Sequence, residues 1–204
     1  MSDQASKRKE KAAATAEQLL VAARDVFETR GYQATTVGAI TEAANTAHGT
    51  FYLYFKNKED AFAKVMASVT AEMYRETQPQ EGDPREALAA STRNFFEVFR
   101  AHRGLWRCLL EGLHTSPAIE GMWLDLRRPF VDRIARDLKV LGSEGLVRPV
   151  DTDVAAHALG SMVEWFAFTH FELDEPSADE VTIDRAVETL TDLWYHSVFV
   201  IPPD

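Results

Sequence analysis

Apolar residues recur every three or four positions along most of the chain, a spacing typical of α-helices rather than strands. The first stripe predicts a helix that starts at a capping box formed by Thr15 and Gln18 and ends at Gly31. The alanines upstream of Thr15 could also extend this helix toward the N-terminus, so an earlier start is the alternative. Val37, Ile40 and Ala44 then predict a short second helix.

The second and third helices are predicted to be joined by a tight turn. Thr35 or Thr36 supplies the cap of the second helix, and Asn45 suits a left-handed turn after it. The third helix is expected from about Ala47 to Tyr54. Two short helices joined in this way form a helix-turn-helix, although any three-helix packing unit has the same pattern.

The remaining patterns are also helical. Asn57 and Asp60 bracket the start of a fourth helix reaching about Thr77. Later helices are predicted over about 83–100, 105–113, 116–141, 151–171 and from 177 onward, with a bend or restart at Pro129 and a second capping box at Ser177 and Glu180. Loops are predicted at 78–82, 142–149 and 174–176. The class is therefore all-α with about nine helices, divided into an N-terminal three-helix unit, 1–56, and a larger helical domain, 57–204.

Charge is distributed unevenly. The net charge is −10, yet residues 1–64 hold 9 basic and 8 acidic residues and sum to +1, while the other 140 sum to −11. A basic run, Lys7-Arg8-Lys9, lies in residues 1–11, which are predicted to form a flexible tail. Nucleic acid is thus a possible partner of the N-terminal part despite the acidic total.

Several classes of protein are disfavoured by composition. Cys108 is the single cysteine, which excludes an intramolecular disulfide and a cysteine-rich zinc site, and we expect no metal and no cofactor. The most apolar stretch, 154–171, contains His157 and Glu164 and is interpreted as a buried helix rather than a membrane span. A cytoplasmic location is the expectation. HExxH, GxSxG and phosphate-binding glycine loops are absent from the sequence, so an enzyme is not expected.

The residue types of the helix-turn-helix favour DNA. Hydroxyls and amines that can bind phosphate surround it, and small residues would let the third helix approach base edges. The phosphate candidates are Thr35, Thr36, Tyr52, Tyr54 and Lys58, with core packing an open alternative for Tyr54. The small residues are Ala47, Gly49 and Thr50.

Two motifs in this region, GYQATT from Gly31 and GTFYLYFKNKE from Gly49, resemble the DNA-binding signature of the TetR family of transcriptional regulators. The resemblance covers about the first 65 residues. It implies phosphate contacts by Thr36, Tyr52 and Lys58, and base reading by His48, Gly49 and Thr50. Three positions depart from the usual pattern: Gly38, Asn45 and Ala47 stand where arginine, glycine and a capping Ser or Thr are common.

The resemblance further implies that the remainder binds an effector and forms a homodimer. Large apolar residues are expected to line a site for a small apolar or aromatic molecule, although a filled aromatic core is the alternative. These residues are Phe95, Phe99, Trp106, Leu109, Trp123, Phe130, Trp165 and Phe166. Two helices from each protomer are expected to build the dimer interface through Leu159, Met162, Val163, Val187, Leu190 and Trp194.

The function expected is a ligand-responsive regulator, most simply a repressor, that binds a near-palindromic double-stranded DNA operator as a homodimer. Effector entry would shift the helices after Ser116 and push the fourth helix. That movement would separate the two helix-turn-helix units of the dimer and lower the affinity for DNA. The alternative is a helical ligand-binding dimer that does not read DNA, which Gly38 and Ala47 favour.

Overall fold

The computed structural model describes residues 2–75, 83–172 and 182–200, and all of its regular structure is helical. The helices are α1 Ser2–Ala34, α2 Val37–Ala43, α3 His48–Phe51, α4 Lys58–Arg75, α5 Pro84–Ala101, α6 Arg103–Leu113, α7 Pro117–Ser143, α8 Thr152–Ala167 and α9 Ile183–Val198. A π-helical turn, Phe168–Glu172, extends α8, and Val147 forms an isolated bridge with Phe199. The described part of the chain contains no strand, so the predicted all-α class is confirmed.

The first helix is longer than the capping box predicted. It begins at Ser2, so the Lys7-Arg8-Lys9 run is helical rather than an irregular tail, and Thr15 donates its hydroxyl to the Lys11 carbonyl oxygen at 2.9 Å. The predicted helix start at Thr15 is therefore wrong, because the upstream alanines continue the helix. Gly31 has φ 79° and interrupts the helical geometry, as expected of a residue that tolerates the left-handed region.

Local capping explains the helix-turn-helix. Thr36 caps α2 by accepting a hydrogen bond from the Ala39 N–H at 3.2 Å, and Asn45 has φ 48° in the turn that follows. Ala47 precedes α3 without a side-chain cap, and α3 is four residues long, shorter than the predicted 47–54. Turns continue through Tyr54 to Phe55, whose N–H donates to the Phe51 carbonyl at 2.9 Å.

The later helices begin where polar side chains satisfy free N–H groups. Asn57, Asp83 and Asp151 accept such bonds at the starts of α4, α5 and α8. Thr182 caps α9, while the predicted Ser177–Glu180 capping box and the 78–82 and 174–176 loops lie outside the described residues. The predicted restart at Pro129 is wrong, since α7 runs through that proline as one helix.

The helices form two compact units that do not follow the predicted 1–56 and 57–204 division. The first comprises Met1–Val69 and His102–Met122, so it includes α6, and the second comprises Thr70–Ala101 and Trp123–Asp204. Side chains buried in the first unit include Leu19, Phe27, Ile40, Phe51 and Phe62. In the second, Phe96 is fully buried against Phe166 and Phe171. No helix within residues 2–75, 83–172 and 182–200 combines the length and apolarity that a membrane span requires.

Candidate nucleic-acid interface and ligand cavity

The outer side of α3 is open to solvent. His48 and Gly49 are exposed, Tyr52 is 55% exposed, and the rings of His48 and Tyr52 meet edge to face with centroids 5.7 Å apart. Phe51 anchors the opposite side, since it is fully buried and packs on Phe55. The alternation of buried phenylalanine and exposed polar residues therefore holds α3 firmly while leaving a polar face for a partner.

The two threonines before α2 differ. Thr36 is exposed, and its hydroxyl oxygen caps α2 while its hydrogen stays available as a donor. Thr35 is 1% exposed and donates its hydroxyl to the Gly31 carbonyl at 2.7 Å. The prediction that Thr35 contacts phosphate directly is therefore wrong, because the Gly31 turn draws its side chain inward.

Lys58 and Tyr54 are only partly exposed. The Lys58 ammonium donates to the Tyr32 carbonyl at 2.9 Å and lies 4.4 Å from the centre of the Tyr32 ring. An ammonium carries three donors, so two remain for a phosphate. The Tyr54 carbonyl accepts from the Lys64 ammonium at 2.7 Å. Ala47 is exposed and Thr50 is half-buried, so the predicted contacts other than Thr35 retain some access to solvent.

A carboxylate on α6 secures the last turn of α1, just before α2. Glu111 Oε2 accepts from the Tyr32 N–H at 3.0 Å and the Gln33 N–H at 3.3 Å. The Tyr32 phenol donates to Glu59 Oε1 at 3.2 Å, and burial together with the Glu59 charge raises the pKa of that phenol above its ordinary value. Sequence reasoning missed Glu111, because its partners are backbone groups 78 and 79 residues away.

Three further contacts join α6 to α1. Gly104 lies so close to α1 that a Cβ there would come within 2.7 Å of the Glu28 carbonyl oxygen. The buried Cys108 thiol donates to the Phe27 carbonyl at 3.1 Å, and burial raises its pKa to about 12. His102 Nδ1 lies 2.8 Å from Glu28 Oε1. Together with Glu111, these contacts bind α6 to the end of α1 that leads into α2.

The second compact unit contains a cavity of about 420 Å³, hereafter the cavity. Its walls come from α5, α7, α8 and α9 and are mostly apolar. Polar groups on the lining are few: Ser91, Thr92, Arg133 and Asp137. Sites for small molecules have about this size and composition, typically about 300–1,000 Å³ with a few placed polar groups.

The lining differs from the aromatic set predicted from sequence. Phe95 and Phe130 line the cavity, whereas the other predicted residues do not: Phe99, Trp106, Leu109, Trp123, Trp165 and Phe166. Trp106 and Leu109 are buried on α6 in the first unit, and Trp165 is 63% exposed. Aromatic content alone does not reveal helix orientation, which is why smaller residues such as Leu88 and Val198 were missed.

Most of the residues predicted for the dimer interface are buried within the protomer. Leu159, Val163 and Trp194 line the cavity, Val187 and Leu190 are buried, and Met162 is half-buried. Four of the six are thus buried within the unit, while Met162 and Trp194 keep some access to solvent, and their place in a dimer interface stays a prediction. The outer faces of α8 and α9 carry a different apolar set: Val154 at 64%, Trp165 at 63% and Leu193 at 55% exposure.

A helix-turn-helix with an exposed α3, together with a separate helical unit that contains a cavity, is an arrangement found in DNA-binding regulatory proteins. Comparison with known proteins identifies the family. Residues 19–65 match the family model described as bacterial regulatory proteins, TetR family, and residues 88–200 match the C-terminal domain of the transcriptional regulator EthR. The chain belongs to the TetR family of transcriptional regulators, a family of regulators rather than of enzymes.

Individual relatives have low sequence identity and extensive coverage. The chain is 26% identical to the HTH-type transcriptional regulator AcrR of Shigella flexneri, over 88% of this chain and 91% of AcrR. Its fold matches the fatty acid degradation regulator FadR of Bacillus halodurans with a TM-score of 0.72 and 21% identity, covering 89% and 94% of the two chains. It also matches the flavonoid-responsive regulator FrrA with a TM-score of 0.70 and 20% identity, covering 92% and 98%. At these identities the two solved structures show the fold alone.

Proposed function

We propose that this regulator is a repressor that binds a near-palindromic operator as a homodimer and is released by a small apolar or aromatic effector. The observation that carries the proposal is the presence, in one chain, of an exposed polar α3 and an apolar cavity of about 420 Å³. A binding helix and a ligand cavity in separate units give two sites, which a ligand-controlled DNA-binding protein requires.

The DNA contacts divide by chemistry. Thr36 and Tyr52 present exposed hydroxyls, and Lys58 has donors left after its bond to Tyr32, so these three suit phosphates. His48, Gly49 and Thr50 lie on α3, where base edges would be read in the major groove. Gly49 supports a close approach, since nothing lies within 4 Å of the position its Cβ would occupy.

The effector is proposed to enter the cavity. Leucine, valine and phenylalanine side chains form most of its wall, so burial of apolar surface would supply most of the affinity. Fatty acids and flavonoids are suitable first probes, because the names of two structurally similar regulators refer to them. Arg133 and Asp137 on the lining would meet a polar end of such a molecule.

The homodimer is proposed to form through the outer faces of α8 and α9. Val154 and Trp165 lie on one helix and Leu193 on the other, and all three are more than half exposed in the protomer. Large apolar side chains of this kind are expected to be covered by a partner. A symmetric pair also brings two α3 helices to one duplex, as a near-palindromic site demands.

We infer that α6 carries the signal. Phe95 on α5 and Phe130 on α7 line the cavity, and α6 is the chain segment between those two helices. Effector binding that displaces α5 or α7 would pull on α6 through the chain, and Glu111 would pass the displacement to the Tyr32–Gln33 backbone before α2. The coupling required is typically about 1–3 kcal/mol.

The test is fluorescence anisotropy on the duplex that the full chain enriches from a randomised DNA library. Tyr52→Phe should weaken binding to every duplex by a similar factor, whereas His48→Ala should change which duplex is preferred. Dodecanoate or naringenin should weaken binding of the wild-type protein, and Val163→Trp, which fills the cavity, should abolish that response while DNA binding persists. No enrichment of any duplex would contradict the proposal.

One alternative has a specific observation in its favour. The Lys58 ammonium is engaged with Tyr32, and Ala47 leaves α3 without a side-chain cap, which suits a ligand-binding dimer that does not read DNA. Such a protein would bind the probes through the cavity, and its DNA affinity would fall with salt equally on all sequences. The same anisotropy titration, repeated at two salt concentrations, separates the two functions.

A further inference from the structure

Leu53 is the most exposed large apolar side chain among the described residues, at 79%. It is the second residue after α3 and lies between Tyr52, which is 55% exposed, and the half-buried Tyr54. Isolated surface leucines are common in proteins. Leu53 differs from these because it lies beside residues that are proposed to contact DNA.

The backbone places Leu53 on the outward side of α3. Its N–H donates to the Thr50 carbonyl at 3.2 Å, so the helical turn continues past Phe51. Residues three and four apart in such a turn share a face, which puts Leu53 beside Thr50 and Gly49. Gly49 has no side chain and open space around it. Leu53 is therefore the most exposed large apolar group on this side of the reading surface, beside the larger but polar-tipped Tyr52.

The chemistry of leucine restricts what it can contact. It has no donor or acceptor, so it cannot bind a phosphate or the polar edge of a base. The apolar group that the major groove offers is the C5 methyl of thymine, and reading it distinguishes T·A from the other base pairs. We propose that Leu53 is a specificity-determining residue that contacts a thymine methyl group in each half-site. This proposal rests on the proposed function, because it requires α3 to enter the groove.

The experiment replaces single thymines by deoxyuridine in the duplex enriched by the full chain from a randomised library, which removes only the methyl group. At one symmetric pair of positions, wild-type affinity should fall about fourfold per thymine, the equivalent of about 0.8 kcal/mol for one buried methyl-sized group. Leu53→Ala should bind the thymine and deoxyuridine duplexes equally. Leu53→Met, which keeps an apolar side chain of similar volume, should retain most of the preference.

A matched control is Leu124→Ala, which truncates a 54% exposed leucine in the second compact unit and should leave the thymine preference intact. Equal wild-type affinity for thymine and deoxyuridine at every position would overturn the assignment while leaving the proposed function standing. A uniform loss of affinity in Leu53→Ala that keeps the thymine preference would also overturn it, because Leu53 would then contact the sugar rather than the thymine methyl group. If no duplex is enriched, the assignment and the proposed function fail together.

Discussion

The approach of α6 to α1 is sensitive to a single methyl group. Gly104 lies in the first turn of α6, and a Cβ added there would stand 2.7 Å from the Glu28 carbonyl oxygen, 3.0 Å from its Cα and 3.2 Å from its carbonyl carbon. Carbon atoms prefer about 3.5–4.0 Å. All three neighbours are backbone atoms, so they cannot rotate away, and Gly104→Ala must push the two helices apart by about 0.5 Å.

The displacement should have an energetic and a functional consequence. Overpacking of this kind lowers the free energy of unfolding by about 1–3 kcal/mol. The higher helix propensity of alanine offsets at most about 1 kcal/mol of that loss. We expect a net loss of about 1–2 kcal/mol and a fall in melting temperature of about 2–8 °C. The Glu111 bonds to Tyr32 and Gln33 should lengthen as α6 retreats, which would weaken DNA binding as well.

The assay pairs thermal unfolding with DNA anisotropy, and Gly121→Ala provides the matched control. Gly121 is an exposed glycine inside α7 with nothing within 4 Å of its Cβ position, so alanine there should stabilise the protein by about 0.5–1 kcal/mol. Opposite signs for the two substitutions support the close packing of α6 on α1. A Gly104→Ala protein that melts at or above the wild-type temperature would refute it.

Other predictions concern Glu111, Trp165 and Cys108. Glu111→Ala should weaken DNA binding more than Glu111→Gln, since the glutamine amide oxygen can still accept the bonds that Oε2 accepts from Tyr32 and Gln33, but without the charge; equal effects in anisotropy would argue against a role for these bonds. Trp165→Glu should convert a dimer into a folded monomer in sedimentation velocity, whereas an unchanged dimer would place the interface elsewhere. The Cys108 thiol, whose pKa is raised to about 12, should resist a thiol-specific reagent at pH 8 until the protein unfolds. Because its folded pKa lies above the unfolded value of 9.0, its stability contribution is intact below pH 9 and is lost between about pH 9 and 12. Cys108→Ala should make that slope shallower, and the Tyr32 phenol, whose pKa is also raised, should supply part of what remains.

Local signals predicted the helix-turn-helix well. Thr36, Asn45 and Gly31 each act through their own backbone or the next turn, so short sequence windows contain the information. Ala47 likewise leaves α3 uncapped, as its side chain dictates. The start of α1 was wrong because helix propensity upstream outweighed a capping pattern, which a sequence window alone does not rank.

Long-range placement explains what sequence reasoning missed. The apolar stripes of α8 and α9 were correct as stripes, but periodicity does not say whether a stripe meets its own protomer or a partner, and Leu159 and Val163 line the cavity instead. The attachment of α6 to α1 depends on Gly104 and Glu111 meeting backbone more than 70 residues away, for which the sequence carries no local signal. Thr35 was misassigned for a related reason, since its neighbour Thr36 has the same chemistry and only burial separates them.

The central claim is that two copies of α3 enter successive major grooves of one duplex. Dimethyl sulfate protection of guanine N7 on the enriched duplex measures this directly, because that atom lies in the major groove. Two protected patches related by twofold symmetry and centred about 10 base pairs apart are the expected result. One unpaired patch, or weak protection spread evenly along the duplex, would contradict it.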